Sequence, residues 1–239
     1  MSKEVQEMFA KISPKYDLMN DILSFGIHHI WRNFTVRKAN IKLPVKILDC
    51  ATGTGDLAIA FHKKIVSKAE FNGLPLIDNE IVATDFCDEM LVFAKDKIQA
   101  KNYPIRLENA DVLNLQYSDN YFDIASISFG IRNVDNPSKG VSELARVVKP
   151  NGKVMILEFG QPTGWFATPY NFYSKSIMPF FGKLIAGDQG AYTYLPETAS
   201  KFPSGENFRK IMEETGSFSE IKYYTLSFGI AFLYVGTVK

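Results

Sequence analysis

Apolar positions along the chain change their period near residue 45. Before that point they follow a helical spacing: in KEVQEMFAKI, Val5, Met8, Phe9 and Ile12 recur at i, i+3, i+4 and i+7, which predicts a helix that Pro14 ends. HHIWRNFTVRKA predicts a second helix with Ile30, Phe34 and Arg37 on adjacent turns, and SPKYDLMNDILSFGI between them reads as a linker. From residue 46, short apolar runs alternate with amphipathic ones. KILDC, NEIVATDF, IRLENAD, FDIASISFG and GKVMILEF read as strands, separated by helices in DLAIAFHKKI (Leu57, Phe61, Ile65), DEMLVFAKDKIQ and NPSKGVSELARVVKP. In the last of these, Asn136 suits the N-cap and Pro137 the first turn. Val141, Leu144, Ala145 and Val148 form its stripe, and Pro150 breaks it.

Strands alternating with helices argue for a mainly parallel sheet covered on both faces, an α/β domain. Residues 160–205 interrupt the alternation with a cluster of aromatics and with Pro162, Pro169 and Pro179, and read as an insertion over the sheet. SGENFRKIMEETG returns to a helix, with Ser204 as cap and Gly216 just past its end. IKYYTLSF and IAFLYVGTV close the chain as an antiparallel hairpin, bringing the strands to seven. The expected organisation is one domain: a helical cap (1–43), a ligand-binding core (44–159), the insertion (160–205), and a terminal helix and hairpin (206–239).

Composition narrows the function. The 239 residues carry a net charge of +1, which gives no electrostatic footprint for nucleic acid. Two cysteines, Cys50 and Cys87, both in strand-like runs, read as buried spectators in a reducing cytosol. No apolar run approaches the ~20 residues of a membrane span, and the charged N-terminus lacks the apolar core of a signal peptide. A cytoplasmic protein is expected.

The densest chemistry is LDCATGTGD, Leu48 to Asp56, where a strand runs through small residues into a helix. In open parallel sheets ligands sit beyond the carboxyl ends of the strands. Gly53 and Gly55 let the backbone approach a ligand, and Thr54 adds a hydroxyl. A dinucleotide fingerprint would need glycine at Ala58, a phosphate-binding loop would need a lysine that is absent, and a purely structural turn stays open. Asp85 ends the second strand and Asp111 the third; a carboxylate at the former suits ribose hydroxyls, one at the latter an adenine amino group. A nucleoside recognised without phosphate machinery fits S-adenosylmethionine.

LDCATGTGD, DFCDEML, SFGIRNV, RVVKPNGKVMILEF and the N-terminal YDLMNDILSFGIHHIWR together resemble the C-methyltransferases of ubiquinone and menaquinone biosynthesis, and TYLPETASKFPSGENFRKIM and SFGIAFLYVGTVK are similar too. The resemblance covers nearly the whole chain. It implies a Rossmann-like class I S-adenosylmethionine-dependent methyltransferase fold with the last strand antiparallel. It implies methyl transfer to a ring carbon of a polyprenyl hydroquinone, either demethylmenaquinol or a 2-polyprenyl-6-methoxy-1,4-benzoquinol, with S-adenosylhomocysteine as co-product. By position, the family's cofactor contacts fall on Thr54, Asp85, Asp111, Val112 and Ser128. Ala51 departs from the family's first glycine, Cys87 from its usual Asn or Ser, and 67–80 lengthens the link to the second strand.

The fourth strand finishes in Arg132, a permanent cation placed to hold a phenolate oxygen or to orient a water; an ion pair with Asp135 or with a carboxylate of the cap is the alternative. Tyr16 and Asp17 lie in the segment that the family folds over the cofactor. Asn133 either orients Arg132 or forms the turn. Tyr170, Tyr173 and Tyr194 are candidate partners for quinol oxygens within an aromatic region, 164–187, that suits a ring, an isoprenoid tail and peripheral contact with the inner face of the membrane. His28 and His29 are possible proton acceptors. No ligand cluster is visible in the sequence, so no metal is expected. A homodimer stays open. Competing readings are a methyltransferase acting on another small molecule or RNA, and a non-catalytic S-adenosylmethionine-binding member of a quinone-synthesis assembly.

Overall fold

In a computed structural model, which describes residues 3–178 and 190–239, seven strands form one sheet in the order β3-β2-β1-β4-β5-β7-β6. The strands are β1 (Lys46–Cys50), β2 (Glu80–Asp85), β3 (Ile105–Asn109), β4 (Phe122–Ser128), β5 (Val148–Phe159), β6 (Phe218–Leu226) and β7 (Ala231–Val238). β1 to β5 are parallel, and β7 runs antiparallel between β5 and β6. Each central strand is buried on both sides, as parallel strands with helices on both faces must be. Side chains alternate between two apolar layers. Leu48, Val82, Ala125 and Ile156 face one, with α6 (Pro137–Arg146) and α9 (Glu206–Glu214). Ile47, Ile81, Ile124 and Met155 face the other, with α3 (Ile27–Lys38), α4 (Asp56–Asn72) and α5 (Asp88–Ala100).

Asn136 caps α6 by accepting from the Lys139 N–H, with Pro137 in the first turn. Cys50 and Cys87 are buried free thiols. Gly216, at φ +69°, follows α9.

Four local expectations are corrected. The linker between the first two helices is itself helical: α1 (Lys3–Ile12) passes through a 3-10 turn at Ser13–Lys15, with Pro14 in its first turn, into α2 (Tyr16–Ser24). Proline is tolerated there because first-turn N–H groups have no intrahelical acceptor anyway. The buried face of α3 is His28, Trp31, Arg32, Thr35 and Val36, while Ile30 is exposed. Val148 belongs to β5 opposite Phe122, not to the helix stripe; the chain jogs at Asn151 (φ +64°) before Lys153 pairs with Ile124. Only glycine fits at 152 in that jog, since a Cβ would meet Asp123 O at 2.7 Å. Ser204 does not cap α9 with its side chain; Gly205 holds the N-cap position.

The helical cap and the described parts of the 160–205 segment, with α7 (Ala167–Phe172) and α8 (Gly190–Lys201), lie over the carboxyl ends of β4 and β5. Phe180 and Phe181 of the aromatic cluster lie outside the described residues. Residues 67–72 of the long link are the last turns of α4.

Candidate active site

The loop after β1 takes a left-handed path at Ala51 (φ +49°), Gly53 (+58°) and Gly55 (+84°). Glycine adopts this region without penalty, whereas alanine is strained in it. The path turns the Gly53 N–H onto Asp85, whose Oδ2 accepts it at 2.8 Å while Oδ1 accepts the Cys87 N–H at 2.9 Å. Burial raises the Asp85 carboxyl above its ordinary range, against the pull of these backbone donors. Asp111 Oδ1 accepts the Leu113 N–H, which fixes the turn after β3. Val112 packs into the core layer beneath α6. Ser128, the last residue of β4, has a buried Oγ with no hydrogen-bond partner.

Thr54 is occupied by protein. Its Oγ1 donates to Asp17 at 2.6 Å and accepts from Lys97 at 2.9 Å; Lys97 also pairs with Asp17 (2.5 Å) and Asp56 (2.8 Å). Arg32 completes the group at 2.8 Å from Asp56. Burial alone would raise the Asp56 carboxyl, but Arg32 and Lys97 together hold it below its ordinary value. Asp17 thus ties the cap to the glycine loop, a role the sequence reading did not separate from ligand contact.

Between the cap, the 160–205 segment and the ends of β4 and β5 lies a cavity of about 370 Å³. Its walls are mostly apolar, with Phe9, Trp31, Phe129, Phe159 and Phe166 prominent, and they include Tyr16, Tyr170, Tyr173, Tyr194 and Arg132. Tyr16 joins the two sites: its Cε1 lies 4.0 Å from where a Cβ on Gly53 would stand. Burial raises the phenol of Tyr16 and pushes that of Tyr170 up to about 12, so both are neutral donors. The Tyr173 hydroxyl donates to Leu23 O, and that of Tyr194 to Asn133 Oδ1. Asn133 forms part of the 3-10 turn Ile131–Asn133 and positions Tyr194.

Arg132 is paired with neither Asp135 nor the cap. It lies in the 3-10 turn Ile131–Asn133 after β4, its side chain is 4% exposed, and its partner is Glu158 of β5 (1% exposed) at 2.8 Å. The guanidinium also donates to Phe129 O and lies 5.3 Å from the Phe159 ring centre. Its Nε–H is buried with no acceptor. Glu158 went unnoticed in the sequence, as did Asp49, whose carboxylate is 1% exposed and accepts from Thr52 and Ser126. The signal was present in both cases: a carboxylate inside an apolar strand must have partners.

These residues fit S-adenosylmethionine. The buried carboxylate of Asp85, the glycine backbone beside it and the buried Ser128 hydroxyl line the strand ends, and the cations nearest the glycine loop, Lys97 and Arg32, are paired with Asp17 and Asp56. The sequence profile of the ubiE/COQ5 methyltransferase family matches residues 1–238. The chain belongs to this family. Among ubiE/COQ5 relatives, it is 47% identical over 236 residues to the ubiquinone/menaquinone biosynthesis C-methyltransferase UbiE of Bdellovibrio bacteriovorus, covering 98% of this chain and 96% of that one. It is 40% identical to the demethylmenaquinone methyltransferase of Deinococcus radiodurans, covering 97% and 91%. A solved S-adenosylmethionine-dependent methyltransferase from Thermotoga maritima superposes with a TM-score of 0.65 at 16% identity, covering 98% and 99%, which shows the shared class I fold. Like its family, the chain is an S-adenosylmethionine-dependent methyltransferase.

Proposed function

We propose that this enzyme methylates a ring carbon of a polyprenyl hydroquinone, demethylmenaquinol or a methoxy-benzoquinol. The observation that carries the reading is the aromatic cavity beside the glycine loop with Arg132 among its lining residues. An apolar cavity with a few placed polar groups suits a quinol ring. Arg132 brings a permanent cation to that lining, which suits a quinol oxygen that gains negative charge.

Asp85 would hold the ribose hydroxyls, Asp111 and Val112 the adenine, and Gly53, Gly55 and Ser128 the remaining polar edge. When bound, S-adenosylmethionine supplies an electrophilic methyl group. The ring carbon becomes nucleophilic as a phenolic O–H gives its proton to water, and Arg132 stabilises the oxygen that gains the charge. After methylation the ring C–H proton is lost as that oxygen regains one, so that one proton is released overall. Glu158 keeps the guanidinium on the cavity wall. Arg132 stays protonated and cannot itself take the proton. Tyr170 and Tyr194 orient the ring, the latter held by Asn133, and the cap and aromatic walls exclude water.

No described helix is long and apolar enough to cross a membrane. Exposed aromatics nonetheless gather around the cavity: Phe25 (85%), Trp165 (77%) and Phe228 (65%) contact Tyr173 and Phe166 of its lining. This patch is where the isoprenoid tail would leave the protein and meet lipid.

The test supplies methyl-labelled S-adenosylmethionine with a short-tailed demethylmenaquinol and, separately, a methoxy-benzoquinol, both kept reduced. Ring-methylated product from at least one is expected. Cofactor binding without carbon methylation of either would overturn the proposal.

A further inference from the structure

The turn between α2 and α3 brings together three side chains that the methyl-transfer reading leaves unused. The chain reverses through Phe25 (φ +51°) and Gly26 (φ +72°), which places Asp21, in the last turn of α2, against His28 and His29, in the first turn of α3. One ligand atom from each lies within 4.8 Å of the others. His29 Nε2 is 2.7 Å from Asp21 Oδ1, and His28 Nε2 is 3.6 Å from that same oxygen.

Proton inventory decides what His28 offers. The Ser24 hydroxyl has a single proton and two close neighbours, Asn20 O at 2.6 Å and His28 Nδ1 at 2.5 Å. A carbonyl oxygen can only accept, so the Ser24 proton goes to Asn20 and His28 Nδ1 must carry the hydrogen that reaches Ser24. With Nδ1 committed to Ser24, Nε2 is the ring nitrogen left to face Asp21, on a side chain only 6% exposed. The two histidine nitrogens and the Asp21 carboxylate oxygen thus converge on one point. Arg32, the nearest fixed charge on the same helix, is already committed to Asp56.

We propose that Asp21, His28 and His29 form a binding site for a borderline first-row divalent cation of the zinc type, which clips α2 to α3 at the edge of the cavity. A tetrahedral ion with ligands at about 2.1 Å spaces its donors about 3.4 Å apart, and the contacts of 2.7 and 3.6 Å bracket that spacing. Two imidazoles and one carboxylate favour zinc, nickel or cobalt over magnesium or calcium. Ser24, bonded to the far nitrogen of His28, is the outer partner that fixes the ring and its tautomer. The sequence hid the cluster because Asp21 is contributed by the preceding helix and only the turn brings it round.

The site is tested on the full chain stripped with a chelator. Titration with zinc should give one equivalent of binding and a rise in melting temperature that magnesium does not reproduce, and cobalt should give the absorption bands of a low-coordinate nitrogen–oxygen site. Asp21→Asn and His29→Gln, both at exposed positions that leave the fold intact, should each abolish the cobalt bands and the zinc-induced rise. Ser24→Ala should weaken zinc by roughly tenfold, and His62→Gln, remote from the turn, should change nothing. Zinc binding that survives both Asp21→Asn and His29→Gln would overturn the proposal, as would its absence in the unaltered chain. Methyl transfer does not enter the readout, so either result stands apart from the proposed reaction.

Discussion

The two halves of the active-site region are built in different ways. The glycine-loop half is local: each polar group sits within a few residues of a strand end, and the sheet register alone brings Gly53, Asp85 and Ser128 to one edge. The cavity half is assembled at long range, from helices at residues 3–38, the 160–205 segment and the ends of β4 and β5. A site fixed by sheet register is positioned before any ligand arrives. A site made by docking helices over that sheet holds its shape through side-chain contacts such as Tyr194 with Asn133 and Thr54 with Asp17.

Arg132 stands where the halves meet, and its substitution should have the largest effect. Arg132→Gln combined with Glu158→Gln removes the buried pair without stranding a charge, and turnover is expected to fall by about 10²–10³. S-adenosylmethionine affinity, measured by calorimetry, should stay close to that of the unaltered enzyme; an equal loss of both would show that the halves do not separate. Arg132→Ala alone should also cost about 3–5 kcal/mol of stability, because it leaves Glu158 buried and unpaired.

A smaller effect should be confined to the sheet half. Burial pushes the Asp49 carboxyl up to about 6 from 3.8, against hydrogen bonds from Ser126 and Thr52. The folded state therefore holds this proton more tightly than the unfolded one. The resulting stabilisation is full below pH ~4 and is lost as pH rises through ~6, with a total on the order of 3 kcal/mol. Denaturant melts at a series of pH values should show Asp49→Asn losing less stability than the unaltered protein between pH 4 and 7. Parallel curves would mean that Asp49 is not the group responsible. The smallest effect concerns the loop: Ala51→Gly should stabilise by about 1 kcal/mol, by relieving alanine at φ +49°, and an unchanged melting temperature would remove strain at this turn from the account.

The same division governs what could be read from the sequence. β1 to β5 and the helices between them follow from periodicity because each buries a face set by its own residues, and Asp85 and Asp111 were legible as strand-end carboxylates. The cap helix α2 was not. Pro14 looks like a break, and only the 3-10 turn at Ser13–Lys15 shows that the chain stays helical past it, whereas Gly26 (φ +72°) does separate α2 from α3. The cation of Arg132 was visible, but its partner Glu158 lies on the next strand, and the pairing depends on sheet register rather than on chain neighbours. The tie between Tyr194 and Asn133 spans sixty-one residues and has no local signature.

A Cβ placed on Gly130 would stand 2.5 Å from the Cβ of Ala51. The ends of β1 and β4 therefore have room for one methyl group between them, not two. Positions 51 and 130 behave as a single slot: Gly130→Ala is barred while Ala51 is present and becomes admissible once residue 51 is glycine. The departure at Ala51 is thus half of a two-residue arrangement, and the tolerance of either position is set by its occupant across the sheet.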